Sequence, residues 1–334
     1  MSTAGFPPLW PAWLGVAMAT AALLAWVWRG WALRYGIVDR PDARRLHAEA
    51  TARGGGIGIV VALLAAATPA LGERATAFAL GLALVAGTGL LDDLKPLPAA
   101  AKALGQALGA LPLAWVAPLA SPWPDTVVGV LMAWLLVMAL VNIWNFMDGS
   151  NGLAASQAAL FGLALAGMTD GAAAWLGLVL AMACLGFLPA NLPRAQVFLG
   201  DVGSHSLGFA VAAGVLIAGS GGLPPWLALL PALAFVTDAT LTLAGRLRRG
   251  EKVWLAHREH LYQRAIAGGV GHGTVCLAYA VVTAALAGAG VALARQQREV
   301  SLAGAVVGAV LVLVLYLSLR RRWPMSPHLR ELQQ

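Results

Sequence analysis

The sequence predicts an all-α polytopic membrane protein, and three observations carry that prediction. Of its 334 residues 60% are hydrophobic and only 11% are charged, with a mean hydropathy of +0.76. A soluble domain carries about a quarter charged residues, so most of this surface must face lipid. The apolar residues gather into eleven runs near the roughly 20 residues that a helix needs to cross a bilayer. Lys and Arg are also unevenly shared: 19 of the 22 fall on one side of the resulting topology. That imbalance places the N-terminus outside and the C-terminus in the cytoplasm.

The runs are roughly 9–29, 54–71, 74–91, 99–118, 126–146, 152–169, 172–189, 202–219, 224–244, 273–294 and 300–319. The first has no basic leader and no small-residue cleavage site, so it is expected to be a retained helix rather than a signal peptide. The second and third are separated only by Gly72 and Glu73. The intervening loops are short and rich in Gly, Pro, Asp and Ser, as in 119–125. One integral membrane unit, 1–334, is therefore expected, with cytoplasmic loops at about 30–53, 92–98, 147–151, 190–201 and 245–272. Cys184 and Cys276 lie inside apolar runs and read as core residues. The net charge of +7 follows from the basic cytoplasmic loops, so no nucleic-acid partner is expected. Trp residues near helix ends read as an interfacial belt.

Every polar constellation falls on the cytoplasmic side. Asp92 and Asp93 close the third run, followed by Lys95; adjacent carboxylates raise one another's pKa and attract a divalent cation or serve as a base. The bland alternative is a helix end returning to water. Within 142–154, Asn142, Asn145 and Asp148 recur at a spacing of three, which on a helix gives one face. Gly149 and Gly152 then let the chain break close to a ligand. Interhelical hydrogen bonding is the competing role. Asp201 and Ser204 open the eighth run, where they serve either as caps or, with a cation, as part of a phosphate site.

His257 and His260 stand in the most basic loop, beside Arg258. They suit proton transfer or diphosphate binding, whereas zinc is disfavoured because no Cys or third acid stands at ligand spacing. Upstream, the basic segment 39–47 leads to Arg53 and three glycines, a second arrangement able to hold an anion. Asp238 lies inside the ninth run and reads as the partner of a cationic group or as a proton relay. Acids, amides, basic residues and glycines on one face imply a phosphorylated substrate and Mg²⁺, with Mn²⁺ as a substitute.

The order and spacing of these pieces resemble the polyprenyl-phosphate N-acetylhexosamine-1-phosphate transferase superfamily, from about Asp39 to Arg264. On that resemblance Asp92 and Asp93 match the family's acidic motif, Lys95 a nearby cation, and Asn142, Asn145, Asp148, Gly149 and Gly152 its Asn/Asp/Gly motif. Asn191 and the segment Phe198 to Asp201 match the stretch where an Asp holds Mg²⁺ and a Phe stacks on uracil. His257 and His260 match the cytoplasmic histidine motif. Asn151 stands where the peptidoglycan enzyme of the family has a second Asp, and the histidine loop lacks three successive histidines. The pattern is closer to the branch that initiates O-antigen of lipopolysaccharide.

The resemblance implies attack by a phosphate oxygen of undecaprenyl phosphate on a UDP-N-acetylhexosamine, with UMP leaving. Asp201 would bind Mg²⁺; Asp92 and Asp93 would orient or deprotonate the lipid phosphate. His257, His260 and Arg258 would meet the diphosphate, and Asn142, Asn145, Asp148 and Asn151 the donor's hydroxyls. Arg53, Lys95, Asn191 and Phe198 complete the expected substrate contacts. The expected location is the bacterial inner membrane with the site facing the cytoplasm, and a homodimer is compatible with the sequence. Two alternatives stand beside this reading: the peptidoglycan phospho-N-acetylmuramoyl-pentapeptide transferase, and a proton-coupled transporter or lipid flippase relaying through Asp92, Asp93 and Asp238.

Overall fold

The computed structural model describes residues 5–39, 50–117, 127–252, 255 and 257–324. Most of the basic segment 39–47 and the turn at 119–125 lie outside the described residues. Helices dominate: α1 (Trp10–Tyr35), α2 (Ile57–Ala62), α3 (Ala75–Leu94), α4 (Ala99–Val116), α5 (Val127–Phe146), α6 (Leu153–Met168) and α7 (Gly171–Asn191). The second half holds α8 (Gly200–Ser220), α9 (Pro225–Ala228), α10 (Leu233–Arg248), α11 (Leu261–Ala267), α12 (His272–Leu293) and α13 (Arg298–Arg322).

Among the described residues, eight helical stretches are long and apolar enough to cross a membrane. The remaining three of the eleven expected runs depart from the simple picture. The run at 54–71 breaks into α2, a π-helical stretch Leu63–Ala67 and a 3-10 turn Thr68–Ala70. α6 has only 16 residues, and α4 carries Lys102 and Gln106 within 18 residues. The run at 224–244 begins with α9 and a 3-10 turn, Leu230–Ala232, before α10. The expectation of helix alone also misses a two-residue hairpin, β1 (Val38–Asp39) pairing antiparallel with β2 (Thr51–Ala52).

The core is built around α8, whose residues from Val202 to Ala218 are all buried. Outer helices instead display large apolar side chains, such as Leu23 on α1 and Leu311 on α13, each 64% exposed. That inversion of a water-soluble surface is what a lipid solvent requires. Inside, small residues let helix backbones touch. A Cβ on Gly162 of α6 would collide with the carbonyl of Gly177 on α7, and one on Gly177 with that of Gly162. Cys184 and Cys276 are buried free thiols, as the sequence suggested.

Chain reversals at one end of the bundle collect the polar residues. The last turns of α3 and α5, the first turns of α8 and α12, and the segments before α2 and α11 all meet there.

Candidate functional site

The segment 52–56 is locked to the start of α8. Ala52 O accepts the Phe198 N–H at 2.8 Å, and the N–H groups of Gly55 and Gly56 donate to Phe198 and Leu199. Glycine is needed at 56 because a Cβ there would strike the backbone of Gly203 in α8. The three glycines thus seat α2 against α8 and deliver Arg53 to the helix start. Trp28, expected merely in an interfacial belt, fixes the same residue by donating its indole N–H to Arg53 O at 2.7 Å.

Arg53 is the hub of an acidic cluster. Its Nε lies 2.6 Å from Asp93 Oδ1, and one Nη lies 2.8 Å from Asp201 Oδ1 and 3.8 Å from Asp92 Oδ2. Burial works against its charge, but Asp93, Asp201 and Asp92 outweigh it and raise its pKa, so the guanidinium stays charged. Asp93, whose side chain is fully buried, receives the backbone N–H of Asp201 at 2.9 Å and of Val202 at 3.0 Å. It therefore caps α8 from a neighbouring helix, satisfying donors that a helix start leaves open. A Cβ on Gly89, one turn earlier, would collide with Asp201 O, so that glycine permits the approach. Asp92 accepts the Leu97 N–H at 2.7 Å.

The second cation of the cluster is Lys102, from the first turn of α4. Its Nζ stands 3.3 Å from Asp92 Oδ2 and 3.5 Å from Asp201 Oδ2. The expectation that Lys95 serves here is corrected: α3 ends at Leu94, and Lys95 is extended, exposed and outside the cavity lining. Behind Asp201 runs a polar chain between helices. His205 Nε2 lies 3.8 Å from Asp201 Oδ2 and 3.3 Å from Gln106 Nε2, and Asn142 donates to Gln106 Oε1 at 2.9 Å.

Asn142, Asn145 and Asp148 do not share a helical face toward a ligand, because α5 stops at Phe146. Asn142 also donates to Met138 O, and Asn145 donates to Ser204 Oγ at 3.0 Å; both tie α5 to its neighbours. Asp148 alone of the three lines a cavity of about 370 Å³, together with Gly149, Ser150, Asn151, Phe198, Asp201, His257, Arg258 and Arg53. Burial and the charges of Asp201 and Asp93 push the Asp148 carboxyl well above the usual carboxylate range, partly offset by Arg53. A cation in the cavity would reverse the sign of that field.

The turn after α5 is braced on several sides. Asn191 receives the Gly152 N–H at 2.6 Å and donates to Val197 O, so its amide is spent on architecture although it borders the cavity. Asn151 donates to Pro193 O at 3.2 Å, and the Tyr262 hydroxyl, which donates to Phe146 O, packs where a Cβ on Gly149 would sit. His272 from α12 meets Ser150 and borders the cavity; nothing in the sequence reading had singled it out.

The histidine pair divides. His257 reaches the cavity, and burial, with His260 and Arg246 adding to it, lowers its pKa to about 3, so the ring is neutral at physiological pH. In the unliganded site it is a neutral donor or acceptor rather than a cation. His260 is buried away from the cavity lining: it caps α11, stacks on Phe146 and Tyr262, and faces Asp238 at 3.5 Å. Asp238 also accepts from Leu261 N, Tyr279 and Thr242, so its partners are not the arginines of its own helix. Arg246 of that helix, at 3.0 Å, and Arg249 just past its end, at 2.7 Å, instead hold Glu259, which anchors the chain between His257 and His260.

Residues 75–220 match the model of glycosyl transferase family 4. The decaprenyl-phosphate N-acetylglucosaminephosphotransferase of Mycolicibacterium smegmatis is 29% identical over 93% of this chain and 90% of its own. The protein of the same description from Mycobacterium tuberculosis is 32% identical, covering 79% of this chain and 78% of that one. A phospho-N-acetylmuramoyl-pentapeptide-transferase of Deinococcus radiodurans is 29% identical over 74% of this chain and 89% of its own.

Proposed function

The chain belongs to glycosyl transferase family 4, the polyprenyl-phosphate N-acetylhexosamine-1-phosphate transferases, and on that premise we propose the reaction it performs. It moves N-acetylhexosamine-1-phosphate from a UDP-sugar to a polyprenyl phosphate such as undecaprenyl phosphate, releasing UMP. The product is a polyprenyl-diphospho-sugar, the starting unit of a cell-surface polysaccharide. The site faces the cytoplasm of a bacterial inner membrane, in keeping with the placing of 19 of the 22 Lys and Arg on that side.

One observation carries this reading. Asp92, Asp93 and Asp201 are gathered with Arg53 and Lys102 beside a cavity walled by Asp148, Asn151 and His257. Three carboxylates stand against two fixed cations, and Asp148 adds a further oxygen donor on the cavity wall. That surplus of hard oxygen donors fits a magnesium ion shared with substrate phosphates. Asp201 would hold Mg²⁺, which supplies neutralisation of the donor diphosphate when bound.

The protein's own groups do the rest. A phosphate monoester is largely ionised at neutral pH, so the acceptor needs position more than a strong base. Lys102 and Arg53 hold the three carboxylates in place and neutralise part of their charge. Asp92 sits where it can orient the acceptor phosphate. Asp93, committed to Arg53 and to the α8 backbone, keeps Asp201 at the cavity. His257 and Arg258 face the diphosphate of the donor, and Phe198 offers a ring for the base. Asp148 and Asn151 meet hydroxyls of the sugar or nucleotide.

On the resemblance, Asn151, standing where the peptidoglycan enzyme has an Asp, favours a donor other than the pentapeptide-bearing one; in the structure its amide donates to Pro193 O. The test is exchange of labelled UMP into UDP-N-acetylglucosamine by purified protein. Asp201→Ala is expected to exchange little or nothing even in excess Mg²⁺; near-normal exchange by that variant sinks the assignment of Asp201.

A further inference from the structure

A side chain of α12 fastens the turn that carries Asp148 and Asn151. His272, the first residue of that helix, has its Nδ1 3.0 Å from Ser150 Oγ and 3.4 Å from the backbone nitrogen of Asn151. A backbone N–H can only donate, so Nδ1 bears the lone pair; Ser150 then donates too, and the ring proton resides on Nε2. Ser150 is 7% exposed. The other fastenings of this turn come from different elements: Asn191 of α7 takes the Gly152 N–H, and Tyr262 of α11 underlies Gly149. Gly152 has a φ of 71°, a conformation suited to glycine. Between these anchors His272 holds the two residues whose own side chains face the cavity or flank it.

We propose that His272 is a positioning residue of the donor site, whose neutral ring holds the Ser150–Asn151 turn so that Asp148 and Asn151 meet the UDP-sugar. The proposal rests on the transferase reading above. His272 also borders the cavity, and its bonds to Ser150 and Asn151 act on the turn, whereas the acidic cluster is held by Arg53 and Lys102.

Removing the acceptor frees the turn without touching the cluster. His272→Ala is expected to raise the KM for the UDP-sugar roughly tenfold, the scale of one or two lost hydrogen bonds. KM for polyprenyl phosphate should stay unchanged, and the thermal midpoint should fall by no more than a few degrees. His272→Asn places Oδ1 near the position of Nδ1 and should return donor KM to within about threefold of the wild type. An unchanged donor KM in the alanine variant, or no rescue by asparagine, overturns the proposal. A nitrogen NMR spectrum of protein labelled in histidine gives a readout independent of turnover. The signal lost in His272→Ala should be that of a neutral ring protonated at Nε2; a ring protonated at Nδ1 overturns the proposal. A wild-type protein that releases no UMP from any UDP-N-acetylhexosamine defeats the transferase reading instead, while the spectrum still decides the role of His272 in the turn.

Discussion

Replacing Lys102 by methionine removes a charge at nearly constant shape, and the consequence can be worked from the geometry. The ammonium stands 3.3 Å from Asp92 and 3.5 Å from Asp201. At an effective dielectric near 20, each attraction is about 5 kcal/mol before desolvation. The lysine side chain is 30% exposed, so solvent screening and the cost of burying the ammonium offset much of that. About 3 kcal/mol remains, the scale of one or two charge-assisted hydrogen bonds. If that support is needed when the diphosphate reacts, the loss is roughly a hundredfold in kcat/KM. The assay is UMP release from a UDP-N-acetylhexosamine in detergent with polyprenyl phosphate and Mg²⁺. Lys95→Met, at the exposed lysine beside the acid pair, serves as the control and should change the rate less than twofold. A Lys102→Met enzyme within threefold of the wild type, or a larger loss at Lys95, refutes the reasoning.

Two further outcomes follow from buried groups. Asp238→Asn leaves donors from Leu261, Tyr279 and Thr242 facing an amide, at about 2–4 kcal/mol; the thermal midpoint should fall by several degrees, and no fall contradicts the role. His257 titrates near 6.5 when unfolded and about 3 in the fold, so between those values the unfolded chain binds more protons. Stability should therefore decline as pH falls below about 6.5, and His257→Asn should flatten the midpoint-versus-pH slope relative to the wild type. An identical slope in the two proteins argues against the neutral ring.

The helical architecture was legible because lipid imposes a single rule, a long apolar run for each crossing, and eight of the eleven runs meet it among the described residues. Asp201, Asp92 and Arg53 were legible because charge at a helix end in an apolar chain stands out. Which lysine completes the cluster was not. Lys95 adjoins the acid pair in sequence, yet α3 has just ended and its backbone turns outward. Lys102 is seven residues on, but α4 runs back along α3 and returns it to Asp92. Its partner in spacing, Gln106, lies one helical turn further on the same face, as His205 does from Asp201. Those two i, i+4 pairs in otherwise apolar helices were a signal available in the sequence. Asn142 shows the opposite failure: regular spacing suggested a ligand face, but the helix stops before Asp148 and leaves the two asparagines to neighbouring helices. His272 carries no motif at all, and only the fold brings it 122 positions back to Ser150.

The most direct measurement is Mg²⁺-dependent release of UMP from a panel of UDP-N-acetylhexosamines by purified wild-type protein and its Asp201→Ala variant, each with and without polyprenyl phosphate. The account predicts release that needs both the metal and the lipid phosphate, for at least one donor, and that disappears in the variant. Release that ignores the lipid or the metal, or that survives loss of Asp201, contradicts it.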